Sequence, residues 1–207
     1  MPVVSVVSGL LSQHIPNVFS DDRQQTYLST SHLIACGCRR IAHILPTQNE
    51  YVADQRFEGY RLALREHGLK FDQALVHQTS GFHRQSGLDA VCSWIQQGVM
   101  FDGVVAQSDH QALGVLQELL HRDIKVPDAV RVIGVDDSPL CDASPVPLSS
   151  VSQEMTEVGR RAVDLLMKQI AGEPVKSVVV PPRLHIRTST GAEQPVRQLS
   201  TAVVAAQ

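Results

Sequence analysis

Strand-like and helix-like segments alternate along nearly the whole chain, and no other feature of the sequence restricts its fold as strongly. β-Branched or apolar runs at 3–8, 40–45, 75–78, 103–107 and 130–135 are followed by helical periodicity at 22–36, 53–67, 85–97, 109–122 and 155–171. Leu88, Val91, Cys92 and Ile95 fit the i, i+3, i+4, i+7 template, and Gly37, Gly68, Gly98 and Gly172 stand where helices commonly end. A segment carrying Pro139, Pro145 and Pro147 reads as a loop. Two short strand candidates, 177–180 and 184–188, close the pattern. Parallel strands need a crossover and the helix supplies it, so the expected fold is α/β, a doubly wound parallel sheet. Ligands of such sheets sit beyond the carboxyl ends of the strands.

Those ends are polar. Pro46, Thr47, Gln48 and Asn49 follow one strand, Thr79, Ser80, Gly81 and Phe82 the next, then Ser108 and Asp109, then Asp136 and Asp137. Hydroxyls, amides, carboxylates and one aromatic ring suit a polyhydroxylated or amide-bearing small molecule. Plainer readings exist for each. Ser108 with Gln111 makes a capping box and Asp109 complements a helix dipole, both compatible with a ligand at the helix N-terminus. Phe82 fits no apolar helix face, which points to a cleft. Asp136 and Asp137 resemble an acid/base pair, but successive residues after a strand point apart, and a loop cap before Pro139 accounts for at least one. Arg56 is either solvated or turned to a ligand.

Composition excludes several classes. With 18 Lys+Arg against 21 Asp+Glu the net charge is -3, so no basic nucleic-acid arm is present. A hydrophobic fraction of 43% predicts a packed core, and with five Phe, three Tyr and one Trp that core must be aliphatic. No apolar run approaches the roughly 18–20 residues of a spanning helix, and the N-terminus lacks an export pattern; a cytoplasmic protein without membrane contact is expected. Cys36 and Cys38 have no second close pair, and the histidines show no ligand spacing, which predicts reduced thiols and no metal. Nucleophile-elbow, phosphate-loop and dinucleotide motifs are missing, so neither catalysis nor a cofactor is expected.

The run Gly103-Val104-Val105-Ala106-Gln107-Ser108-Asp109-His110-Gln111-Ala112-Leu113-Gly114, then Val126-Pro127-Asp128-Ala129-Val130 and Val132-Ile133-Gly134-Val135-Asp136-Asp137, resembles the effector-binding region of LacI/GalR-family bacterial transcriptional regulators. Gly37-Cys38-Arg39-Arg40-Ile41-Ala42, Arg56-Phe57-Glu58-Gly59-Tyr60, Pro147-Leu148-Ser149-Ser150-Val151-Ser152-Gln153 and Gly159-Arg160-Arg161-Ala162 extend it. Each fragment is common; their order is specific.

The resemblance implies a periplasmic-binding-protein-like (type I) fold of two α/β lobes with the effector between them. It places effector contacts on Arg56, Phe82, Ser108, Asp136 and Gln153, with Gln153 at a crossover. It puts the surface of a homodimer on the helix from 109 to 122 and the loop after Asp137, with Leu113 and Leu116 as contacts, although a core stripe explains both equally well. Roughly the first third of the family pattern has no counterpart, so operator DNA would be reached only through a headpiece this chain lacks. The lobes implied are a partial N-terminal one (1–37 and 154–176) and a complete C-terminal one (38–153 and 177–190), with 191–207 as a disordered tail. Cys38 replaces a usual histidine, and Asp22 stands where Asn often follows Asp21. The function implied is the effector-sensing and dimerising part of a transcriptional regulator, binding a sugar or similar polar metabolite. A transport-type solute-binding protein and a small enzyme using Asp136 or Asp137 are the alternatives.

Overall fold

Adjacent residues of the central strands feed two different cores, the sign of a sheet covered on both faces. The computed structural model describes residues 1–6, 15–47 and 50–191. Residues 7–8 of the first expected strand, Gln48, Asn49 and the tail from 192 lie outside them. In chain order the elements are β1 (Ser5–Val6), β2 (Asn17–Ser20), α1 (Asp22–Ala35), β3 (Ile41–Pro46), α2 (Glu50–Glu66), β4 (Val76–Thr79) and α3 (Arg84–Gln96). There follow β5 (Gly103–Val105), α4 (Asp109–His121), β6 (Arg131–Val135), α5 (Leu140–Ala143), β7 (Ser149–Ser152), α6 (Met155–Ile170), β8 (Val178–Val180) and β9 (Arg183–His185).

The larger sheet has the order β4-β3-β5-β6-β7-β9 and is parallel except for β9, which runs antiparallel to β7. Ile41, Val105 and Ile133 pack with Leu33 of α1 and with Tyr60 and Leu64 of α2. Their neighbours Ala42, Val104 and Val132 pack with Val91, Trp94, Val115 and Leu119 of α3 and α4. Glycine permits both helix pairs to close. A Cβ on Gly59 would stand 2.0 Å from the Arg23 carbonyl oxygen of α1, and one on Gly114 would stand 2.0 Å from the Arg84 carbonyl oxygen of α3.

A smaller parallel sheet, β1-β2-β8, carries α6, whose Val158 and Leu165 pack with Val18 and Val180. The chain passes between the two sheets three times, from β2 to α1, from β7 to α6 and from β8 to β9.

Packing divides the chain differently from the boundaries expected at 37/38 and 176/177. The buried face of α1, including Leu33, lies on the larger sheet. β8 pairs with β2, so only β9 of the 177–190 segment joins the larger sheet. The proline-bearing loop contains the short α5 and leads into β7, an internal strand that apolar patterning does not reveal. Ser149 and Ser150 of β7 are fully buried, and their hydroxyls are satisfied.

Candidate functional site

β3 is the topological switch point of the larger sheet, since β4 lies on one side of it and β5 on the other. Arg56, on the helix after β3, is held at this point. Its Nε donates to Asp22 Oδ1 at 2.9 Å and its Nη1 donates to the Gln107 carbonyl beyond β5. Only 5% of the Arg56 side chain and 9% of the Asp22 side chain meet solvent. Burial raises the Asp22 pKa, and the guanidinium opposes that rise without cancelling it. Beneath them His43 of β3 stacks on Tyr60 with ring centroids 4.7 Å apart, and its Nε2 lies 2.9 Å from Gln107 Nε2. Complete burial, aided by the Arg56 charge, lowers the His43 pKa to about 3. The imidazole is therefore neutral, and Nε2 accepts from the Gln107 amide.

Phe82 lies half-buried in the turn between β4 and α3, with its ring centroid 5.9 Å from the Arg56 guanidinium carbon. Ser108, after β5, donates its hydroxyl to the Phe82 carbonyl at 2.9 Å and accepts from the Gln111 backbone N–H at 3.2 Å. Half of the capping box foreseen in the sequence is thus present, since the Gln111 side-chain oxygen accepts from the Gln107 N–H and not from the Ser108 N–H, and the only hydroxyl proton of Ser108 is committed within the protein. What Ser108 leaves for a ligand is an acceptor and the fixed position of Phe82.

Asp136, after β6, has φ 117°, a conformation unfavourable for a residue with a Cβ. Its backbone N–H donates to the Val151 carbonyl at 3.0 Å, and its Oδ1 accepts from Gln153 Nε2. Gln153 sits on the connection from β7 to α6, at one of the passages between sheets. The Asp136 side chain opens to solvent but is flanked by protein. That partial desolvation raises its pKa, against the pull of Gln153 and of the Arg56 charge. The expected contacts thus form two linked groups, Arg56 with Phe82 and Ser108, and Asp136 with Gln153, and the Arg56 charge acts across both.

Asp137 does not pair with Asp136. It meets Arg187 Nη1 at 2.8 Å and His185 Nε2 at 3.5 Å, and Arg187 also bonds Asp142. Asp137 thereby joins β9 to the β6 loop, and the acid/base pair seen in the sequence separates into a structural carboxylate, Asp137, and an exposed one, Asp136, bonded to Gln153. Asp109 is structural too: its Oδ1 accepts the Ser150 hydroxyl at 2.6 Å and its Oδ2 the Ser138 backbone N–H at 2.7 Å.

The dimer contacts expected on α4 separate. Leu116 is 1% exposed and packs in the core against α3 with Val115 and Leu119, reaching the surface only as part of the lining of the groove described next. Leu113 is partly buried, and Leu120 is the outward leucine at 36% exposure. Leu113, Leu120 and Pro145 border a groove of about 480 Å³ on this face. Two members of the site escaped sequence reasoning. Asp22 reads as a helix-opening acid, and only its distance to Arg56 reveals the partnership. Gln107 reads as the last residue of a strand. Among the described residues no group of His, Cys, Asp or Glu is arranged to hold a metal, and no helix is long and apolar enough to cross a membrane.

A polar cluster at the carboxyl ends of the parallel strands of one sheet, bordered by a connection to a second sheet, lies where ligands of doubly wound folds commonly sit. The chain belongs to the periplasmic binding protein-like domain family, which matches residues 30–190. Its curated relatives include the HTH-type transcriptional regulator CelR of Thermobifida fusca, 34% identical over 163 residues that make up 78% of this chain and 48% of that one. Catabolite control protein A of Priestia megaterium is 30% identical over 193 residues, 92% of this chain and 58% of that one. This chain therefore spans about half the length of the curated relatives it matches. Among solved structures, the CelR–cellobiose complex superposes with a TM-score of 0.82 at 31% identity, covering 90% of this chain and 58% of that one. A LacI-family regulator from Sanguibacter keddieii gives 0.83 at 31% identity, covering 92% and 72%. These relatives are transcriptional regulators, not enzymes.

Proposed function

We propose that this chain is the effector-sensing portion of a LacI/GalR-type transcriptional regulator and binds a small polar molecule beside Arg56, Phe82, Asp136 and Gln153. The observation that carries the reading is the Asp136–Gln153 hydrogen bond. It joins a strand-end carboxylate to the segment running between the sheets, so a ligand that competes for either group acts on the connection itself. Ser108 contributes by fixing Phe82. The relatives are regulators, and one is solved with cellobiose, which favours sensing over transport and makes sugars the first ligands to try. Operator DNA would be engaged by parts of the regulator outside these elements.

Self-association through α4 completes the proposal. Leu113 and Leu120 border a groove, also lined by Arg84, Glu118 and His121, where a second copy would pack. The deciding experiment is a thermal-shift screen of neutral mono- and disaccharides, repeated on Gln153→Ala. A sugar that raises the melting temperature of the native chain and not of the variant supports the site; a shift unchanged in the variant places binding elsewhere.

A further inference from the structure

Arg56 is not a free cation. Its Nε is paired with Asp22 at 2.9 Å, its Nη1 is bound to the Gln107 carbonyl, and among the described residues only Nη2 makes no hydrogen bond. The other carboxylates that act on this place are Asp21, beside Asp22, and Asp136, which feels the Arg56 charge. Among the described residues, His43 is neutral and buried beneath the cluster, and His110 acts on Asp136 from α4. The described groups around Arg56 therefore carry more negative charge than positive.

Resting on the reading of the cleft as the ligand site, we infer that Asp22 is a specificity-determining residue: by neutralising Arg56 it makes the cleft select neutral, hydroxyl-rich ligands and exclude carboxylates and phosphates. The physical reason is the burial of the pair. An anion that took the guanidinium would leave Asp22, 91% shielded from solvent, as an uncompensated charge among other carboxylates. A hydroxyl group accepts from Nη2 without disturbing the pair, and its own proton is free for Asp136. Phe82 then offers its ring to the apolar face of the same molecule.

The test uses inorganic phosphate as the probe, together with matched neutral and charged sugars (glucose with glucose 6-phosphate, ribose with ribose 5-phosphate). Asp22→Asn keeps the shape and one acceptor but removes the charge. Phosphate is expected to leave the melting temperature of the native chain unchanged and to raise that of Asp22→Asn, with at least tenfold tighter phosphate binding by calorimetry. Adding Arg56→Met to Asp22→Asn should abolish the gain. In any sugar pair that binds, the neutral member should be at least tenfold tighter in the native chain, and that ratio should shrink in Asp22→Asn. Phosphate binding to the native chain that Arg56→Met removes would overturn the inference. So would a folded Asp22→Asn that gains no phosphate binding. Should Asp22→Asn fail to fold, the two native-chain measurements decide. A screen in which no sugar binds counts against the sensing function, whereas the phosphate measurements judge Asp22 separately.

Discussion

The Asp109 carboxylate accepts the Ser150 hydroxyl at 2.6 Å, joining the first turn of α4 to the interior of β7. Its second oxygen takes the Ser138 N–H at 2.7 Å, so one buried carboxylate fixes the loop that follows Asp136. Asp109→Asn replaces one acceptor by a donor facing a donor. The expected loss is about 2–4 kcal/mol of folding stability, against about 1 kcal/mol for Ser150→Ala. Urea denaturation of both variants checks it, and a loss below that of Ser150→Ala would contradict the assignment.

Two helical glycines should respond in opposite directions. Gly114→Ala thrusts a methyl group against the Arg84 carbonyl and should cost roughly 1–3 kcal/mol as α3 and α4 are forced apart. Gly159→Ala, on α6 with nothing within 4 Å, should stabilise by about 0.5–1 kcal/mol through helix propensity. Melting temperatures that fall in one and rise in the other are the expected result.

His43 makes stability depend on pH. Its folded pKa of about 3 lies below the unfolded value near 6.5, so the unfolded chain binds the extra proton in that window. Stability is retained above pH 6.5 and falls as pH drops, by about 1.4 kcal/mol per unit from this group. His32 and His77, also lowered by burial, act with the same sign; the raised carboxyls of Asp22 and Asp136 act oppositely above about 3.8. Comparison with His43→Gln isolates the contribution. The native chain should lose stability more steeply between pH 6.5 and 5, and parallel curves would refute the assignment.

The α4 leucines should separate core from surface. Leu116→Ala should cost about 2–5 kcal/mol, as a fully buried leucine does. Leu120→Glu should change stability by less than about 0.5 kcal/mol while shifting the species seen by sedimentation velocity toward monomer. A monomeric native chain would remove α4 as a self-association surface.

Phe82→Ala should weaken binding of whichever sugar the screen finds, by roughly tenfold, because an aromatic face over a ligand contributes about 0.5–1.5 kcal/mol beyond its buried area. Its effect on unfolding should be small, since the ring is half-exposed.

Alternation made the larger sheet and its flanking helices legible because each apolar strand carries two buried faces, and runs such as Val132 and Ile133 advertise them. β7 carries three serines in four residues, and its hydroxyls are satisfied by groups far away in sequence, such as Asp109 and Thr190. Local pattern holds no trace of such partners. The site followed the same division. Residues at strand ends could be named, Phe82 and Asp136 among them, because topology gathers strand ends. The roles that depend on a partner 34 or 50 residues away, such as Asp22 with Arg56 or Asp137 with Arg187, needed coordinates.

Three separate strands of chain pass from the small sheet to the large one, at β2 to α1, β7 to α6 and β8 to β9. One tether would allow tumbling and two would allow swivelling about the line between them. A third restricts them further, so the motion expected of the two sheets is a single rotation, opening and shutting like a door on its pins. With Gln153 on one pin and its hydrogen bond to Asp136 on the frame, a ligand bound as proposed would set the angle of that door.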